Sequence, residues 1–294
     1  MEPLSTKYRE LILEVMSHSQ GETHVTEHNV LQMGNPELLP YIDRVIEENL
    51  LPGSELRHAE RLSELSAAAE RGESCLILME HYSNLDLPVF LYLLRRASDE
   101  GRAIADKIIA IAGIKLNEEN PVVSALIEAY SRLVVYPSRS IEIIKTNIKD
   151  PKEALAEVMR STTVNHASMK MLDTIKNQGK IIAVFPAGTR FRPWDPSTKR
   201  GVREISSYIK SFDKMCLISI NGNILRINTD GSMSDDLICE DRVILDVGPV
   251  TDCAAFRAKV KEDLRFRDDR KQAVVDAVMA ELENMHSEVE KTRL

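Results

Sequence analysis

The sequence predicts an α/β fold: a mostly parallel mixed sheet flanked by helices, with a small N-terminal helical domain ahead of it. Three observations carry this. Six short apolar runs come after Gly72, at residues 75–79, 108–111, 133–136, 181–185, 216–220 and 243–247. Helix-patterned stretches separate most of them, the alternation expected of buried strands joined by crossover helices. Residues 1–72, by contrast, read as helical throughout. The predicted division is a helical domain at 1–72 and an α/β domain at 73–294.

Taken in order, residues 4–18 carry Leu11, Ile12, Val15 and Met16 at helix-like spacing. A polar stretch over 19–34 interrupts the pattern. Asn35-Pro36, a cap followed by proline in the first turn, predicts a second helix to about Leu50. Leu51-Pro52-Gly53 breaks the chain, and Ser54 starts a third helix through Leu62 and Leu65 to Gly72. In the α/β part, right-handed crossovers place functional residues at the carboxyl ends of the strands. Residues 268–292, rich in Ala, Val, Glu and Met at helical spacing, predict a terminal helix.

Composition excludes several classes. At 294 residues, 43% hydrophobic and 29% charged, the chain is long enough for a large core and too apolar to be disordered. A net charge of -8 and a single Trp argue against a nucleic-acid partner, which needs a basic footprint or stacking aromatics. Cys75, Cys216, Cys239 and Cys253 form no CxxC pair, so zinc and redox motifs are absent, and Cys75 and Cys216 read as small buried hydrophobes. The opening MEPLSTKYRE lacks a signal-peptide layout, and no apolar stretch is long enough to span a bilayer. The expected compartment is reducing and cytosol-like.

The chemistry concentrates at two strand ends. His81 stands just after the first apolar run, and Asp86 five residues later. A turn can fold that carboxylate onto one imidazole nitrogen, fixing the tautomer and leaving the other nitrogen as a base. The alternative is a hydrogen-bonded histidine with no further role. After residues 181–185, Pro186 stops the strand and leads into Ala187-Gly188-Thr189-Arg190-Phe191-Arg192. Gly188 permits a tight turn, and Arg190 and Arg192 then suit a phosphate. They also read as surface arginines paired with Asp195 or Glu204. Arg139, directly after residues 133–136, is a third cation, and Lys115 a weaker fourth. His24 and His28 share a spacing that fits a metal but lack a third ligand, so no metal is expected. Lys199, Arg200 and Arg203 read as a solvated basic face or as a landing site for an acidic carrier protein. Neither GxSxG nor a glycine-rich nucleotide fingerprint occurs.

These blocks, in this order, resemble the glycerolipid acyltransferase superfamily. Its signature is a His and an Asp separated by four residues, a Gly- and Arg-containing block, and a strand ending in a Phe-Pro-Glu-Gly-Thr-Arg-like turn. His81 and Asp86 match the first block. Residues 133–139 match the second loosely, without its glycine, and Phe185 to Arg190 match the third except that Ala187 replaces Glu. That departure, the Arg190-Phe191-Arg192-Pro193 run and the helical start look most like the soluble, plastid-type glycerol-3-phosphate acyltransferases. The motif resemblance covers residues 73 to about 250.

The resemblance implies direct acyl transfer to glycerol 3-phosphate from an acyl carrier protein or coenzyme A thioester, forming lysophosphatidate in phospholipid synthesis. His81 would be the base and Asp86 its partner. Arg139, Arg190 and Arg192 would bind the phosphate, with Gly188 and Thr189 shaping the loop. No cofactor beyond the thioester co-substrate is implied, and peripheral membrane contact is compatible with it. Two alternatives stay open: a lysophosphatidate acyltransferase, and a non-catalytic lipid- or carrier-binding protein.

Overall fold

The computed structural model describes residues 1–263 and 269–293. The fold is α/β, with a mixed, mostly parallel sheet flanked by helices. All six apolar runs are strands: Cys75–Met79, Ile108–Gly113, Arg132–Val135, Ile181–Val184, Lys214–Asn221 and Ile244–Val247.

The chain divides into two compact units, the first comprising Met1–Lys7, Asp43–Ile108 and Lys176–Leu294. Its strand order is Ile181–Val184, Cys75–Met79, Lys214–Asn221, Ile244–Val247, Glu55–Arg57. Cys75–Met79 runs parallel to both neighbours, with Leu78 opposite Val184 on one side and Leu217 on the other. Ile244–Val247 is antiparallel to Lys214–Asn221 and parallel to Glu55–Arg57. All five residues of the central strand are buried, which is why the run reads as continuously apolar. Leu76, Ile77 and Leu78 are fully inaccessible, each worth about 1.5–3 kcal/mol of burial. Surface ion pairs, at about 0–1 kcal/mol, are minor beside them.

Because Cys75–Met79 and Ile181–Val184 are parallel neighbours, their carboxyl ends lie side by side and both continuing loops emerge at the same end of the sheet. The first of those loops leads into helix Asp86–Ala97, which buries Val89, Phe90, Leu91 and Leu94. Ser98 caps the next helix, Asp99–Ala105, by accepting the Gly101 N–H. Gly101 passes so close to the preceding helix that a Cβ there would lie 2.2 Å from the Leu94 carbonyl oxygen.

The second unit comprises Tyr8–Ile42 and Ile109–Ile175. Within it Arg132–Val135 pairs in parallel with the strand ending at Gly113, and Leu31–Gln32 adds antiparallel to it. Helix Pro151–Ile175 grips the carboxyl end of Arg132–Val135. The Asn165 amide accepts from Tyr136 N at 2.8 Å and donates to Tyr136 O at 3.0 Å, and Ser168 Oγ donates to Val134 O at 2.6 Å. A concavity of about 500 Å³ also lies in this unit, floored by Glu128 and Arg132, and none of the expected site residues lines it.

Residues 1–72 depart from the all-helical expectation. Helices Leu4–Lys7, Arg9–His18, Leu39–Glu47 and Glu60–Glu70 alternate with short strands Glu2–Pro3, Leu31–Gln32 and Glu55–Arg57. Asn35 does cap the chain at Pro36, accepting Glu37 N at 3.1 Å, but the first turn is a 3-10 helix, Pro36–Leu38. The helix expected from Ser54 starts only at Glu60, because residues 55–57 pair with Ile244, Leu245 and Asp246, partners that local periodicity cannot report. The terminal helix runs Arg270–Arg293, and Asp268 of the expected segment lies outside the described residues. Among the described residues no helix is long and apolar enough to cross a membrane.

Candidate active site

The central strand ends at Met79, and Glu80, His81 and Tyr82 cross its carboxyl edge before helix Asp86–Ala97 begins. Leu85 at that helix start offers no side-chain cap. Instead the Asp86 carboxylate turns back. Its Oδ2 accepts Tyr82 N at 2.6 Å, Ser83 N at 2.8 Å and His81 Nδ1 at 2.9 Å, while Oδ1 accepts Ser83 Oγ at 2.9 Å. A carboxylate so placed can only accept, so the proton of a neutral His81 sits on Nδ1 and the lone pair on Nε2. His81 Nε2 has no partner among the described residues. Asp86 is 3% exposed in its side chain and His81 16%, so the carboxylate is shielded while the imidazole keeps some access to solvent.

The second expected block reaches the same place. The His81 ring stacks on Phe185, and Phe191 N donates to His81 O at 2.8 Å. Between them Gly188 adopts φ +63°, the left-handed conformation that closes the turn, and its N–H reaches Phe185 O at 2.9 Å. Thr189 is half-buried in that loop.

The cations divide. Arg190 forms an ion pair with Asp236, which is 1% exposed. Burial pushes the Asp236 carboxyl up and the Arg190 charge draws it back, the net direction being upward. Neither Asp195 nor Glu204 is the Arg190 partner: Asp195 caps the next turn, accepting from Ser197 N and Ser197 Oγ. The Arg192 side chain has no partner among the described residues, while its backbone N–H is anchored on Thr198 Oγ1 at 2.8 Å. Arg192 is thus the uncompensated charge, one residue from the Phe191 anchor on His81. Arg139 is the second residue of helix Ser138–Asn147 in the other unit, and its side chain lies outside the described ones.

Other sequence features resolve more simply. Lys199 pairs with Glu283 and lies over the Phe191 ring, Arg203 pairs with Asp269, and Arg200 is exposed. Lys115 pairs with Glu119, and His24 and His28 lie beside Glu118 and Glu27. No group of three metal-ligating side chains occurs among the described residues. Burial pushes the thiols of Cys75, Cys216 and Cys253 up to about 12, leaving them inert at neutral pH. Behind Asp86 a cavity of about 10 Å³ has room for about one water and none for an acyl chain.

Sequence reasoning missed Asp236, and also Glu80 and His286, which meet beside His81. An acid standing between an apolar run and the candidate base is the signal visible for Glu80; nothing local marks the other two.

A family model described as Acyltransferase matches residues 55–214, more than half of the chain. That span contains His81, Asp86, Arg139, Gly188, Thr189, Arg190 and Arg192. No curated protein matches the chain.

Proposed function

This chain belongs to the acyltransferase family, and on that premise we propose that it moves a fatty acyl group from an acyl carrier protein or coenzyme A thioester onto a hydroxyl of glycerol 3-phosphate. The observation that carries this is the 2.9 Å contact from His81 Nδ1 to Asp86 Oδ2, which leaves Nε2 open as the base.

In the proposed reaction, Nε2 takes the proton of the acceptor hydroxyl as its oxygen attacks the thioester carbonyl. The tetrahedral intermediate collapses, the C–S bond breaks, and the imidazolium returns the proton to the leaving thiolate. The products are lysophosphatidate and the free thiol of the carrier. Asp86 stabilises the imidazolium through Nδ1, and general-base catalysis of this type supplies about 10²–10⁴-fold. No second nucleophile is needed, in keeping with the burial of Cys75, Cys216 and Cys253. Arg192 offers the free guanidinium for the acceptor phosphate. Arg190 has one nitrogen committed to Asp236 and contributes with the others. Arg139 is carried as a further phosphate ligand, to be tested by Arg139→Ala.

The test is thioester-dependent acylation of radiolabelled glycerol 3-phosphate by the purified protein, with both donor types, beside His81→Ala. Activity that vanishes in the variant supports the reaction and the base. Activity only on lysophosphatidate would change the acceptor and keep the mechanism. Inactivity on both acceptors would leave a binding protein built on this fold.

A further inference from the structure

Glu80 is the residue directly before the proposed base, and it is 5% exposed. Leaving a carboxylate in such a place costs several kcal/mol unless each oxygen is matched by donors. Here each is. Oε2 accepts Ile220 N at 2.8 Å and His286 Nδ1 at 2.9 Å, and Oε1 accepts the Tyr82 hydroxyl at 2.9 Å. A leucine would extend the strand without that cost, so what Glu80 adds is geometry rather than burial.

The bonds bracket His81. Glu80 is held from the Lys214–Asn221 strand by Ile220 N on its side chain and by Ile218 O on its backbone N–H. Tyr82, on the far side of His81, is held by Glu80 through its hydroxyl and by Asp86 through its backbone N–H. Its ring meets Phe191 edge-on at 5.9 Å, and Phe191 N binds His81 O. Burial and the Glu80 charge push the Tyr82 hydroxyl up, so it stays a donor. His286 closes the set from helix Arg270–Arg293, more than 200 residues away in sequence. The helix is itself pinned there, since Asn221 Nδ2 donates to His286 O at 3.0 Å and to Glu290 Oε2 at 2.8 Å. Burial and the nearby Lys199 oppose a charge on His286, yet Glu80 and Glu283 outweigh them and its pKa is raised, the direction of a formed ion pair.

We propose that Glu80 and His286 are positioning residues for acyl transfer, a pair of buried acid and half-buried imidazole by which the terminal helix fixes the backbone on both sides of His81. The proposal rests on the reading of His81 as the base. Small displacements of a base are expensive: an error of about 1 Å can cost about 10²-fold in rate. Loss of the pair therefore lowers kcat and leaves substrate binding alone, because neither residue bonds to Arg192.

The experiment compares wild type, His286→Leu, His286→Asn, Glu80→Gln and His81→Ala, measuring kcat, both KM values and melting temperature, with assays run well below melting. Asn keeps a donor nitrogen near the place of Nδ1, and Leu does not. Expected are a kcat about tenfold or more below wild type for His286→Leu and Glu80→Gln with KM within about twofold, and recovery to within about threefold for His286→Asn. Wild-type kcat in His286→Leu with His81→Ala inactive would sink this proposal and spare the base. An equal deficit in His286→Leu and His286→Asn that tracks their melting temperatures would also overturn it, as a packing effect. Activity retained in His81→Ala, or a wild type inactive on every acceptor, removes the base and this proposal with it.

Discussion

The imidazole of His81 lies flat against the phenyl ring of Phe185, centroids 4.0 Å apart and planes 22° from parallel. These residues stand more than one hundred positions apart, each just beyond the end of a parallel strand. The stack joins the two sequence blocks that hold the candidate site residues. It also orients the ring from its face, while Asp86 orients it in its plane. A ring held in both directions presents Nε2 along one line, which is what a general base requires.

Asp86→Asn tests the in-plane half. Asparagine has one acceptor oxygen where the carboxylate serves four donors, so Tyr82 N, Ser83 N and His81 Nδ1 compete for it. The tautomer that places the lone pair on Nε2 loses its support. We expect kcat to fall by about 10²–10⁴-fold, with a stability loss of about 1–3 kcal/mol from the unmatched turn donors. Steady-state kinetics and thermal melting on the same sample separate the two.

The strands and the His81–Asp86 pair were legible in sequence for one physical reason: both are local. A strand buried on both faces is an unbroken apolar run, and a carboxylate five residues from a histidine reaches it through one turn. The strand Glu55–Arg57 reads Glu-Leu-Arg, an edge piece with no apolar run, and its pairing depends on residues 244–246. Asp236 is one of 46 acidic residues, and only the folded chain brings it to Arg190, 46 positions away. Long-range pairing of charges carries no periodicity, so the division of labour between Arg190 and Arg192 could not be read before folding.

Gly188→Ala bears on the turn that delivers Phe191 to His81. At φ +63° a Cβ costs about 1–2 kcal/mol, and the new methyl would meet Val202 Cγ1 at 3.3 Å. The expected outcome is a modest drop in melting temperature with a larger drop in kcat, because the strain is relieved by moving the loop. An unchanged kcat would mean that the loop and the base are mechanically independent.

Glu128, in the second unit, gives a pH expectation of its own. Burial works against its charge, but donors from Ser19, Gln20, Gly21 and Asn35 outweigh it and hold the carboxyl below its ordinary value of 4.5. A folded-state pKa below the unfolded one means stability that is present above the unfolded pKa and lost as pH falls through the folded pKa. Glu128→Gln should cost about 1–3 kcal/mol at neutral pH and show a smaller further loss on acidification than wild type. Denaturant midpoints from pH 7 down to pH 3 measure both.

Arg190 and Arg192 should fail differently. Arg192 is uncompensated, so Arg192→Ala leaves melting unchanged and raises the acceptor KM; a lost charged hydrogen bond of about 1.5–3 kcal/mol is about 10–150-fold. Arg190→Ala instead strands Asp236, whose remaining side-chain donor is Asn228 N at 3.1 Å. Breaking a buried pair from one side costs about 3–5 kcal/mol, large enough to lower the amount of folded enzyme. The Asp236 carboxyl, already raised, rises further without Arg190. A group with a raised folded-state pKa favours the fold at low pH and loses that contribution as pH climbs. Arg190→Ala should therefore regain stability as pH is lowered through the raised Asp236 pKa, the opposite sign to the loss that Glu128 brings at lower pH. Adding Asp236→Asn removes the stranded charge and should restore most of the melting temperature at pH 7. The acceptor KM of that double variant then reports on phosphate alone. A value still raised assigns Arg190 a share of the phosphate, and a wild-type value makes it a strut for the loop, with Arg192 as the ligand.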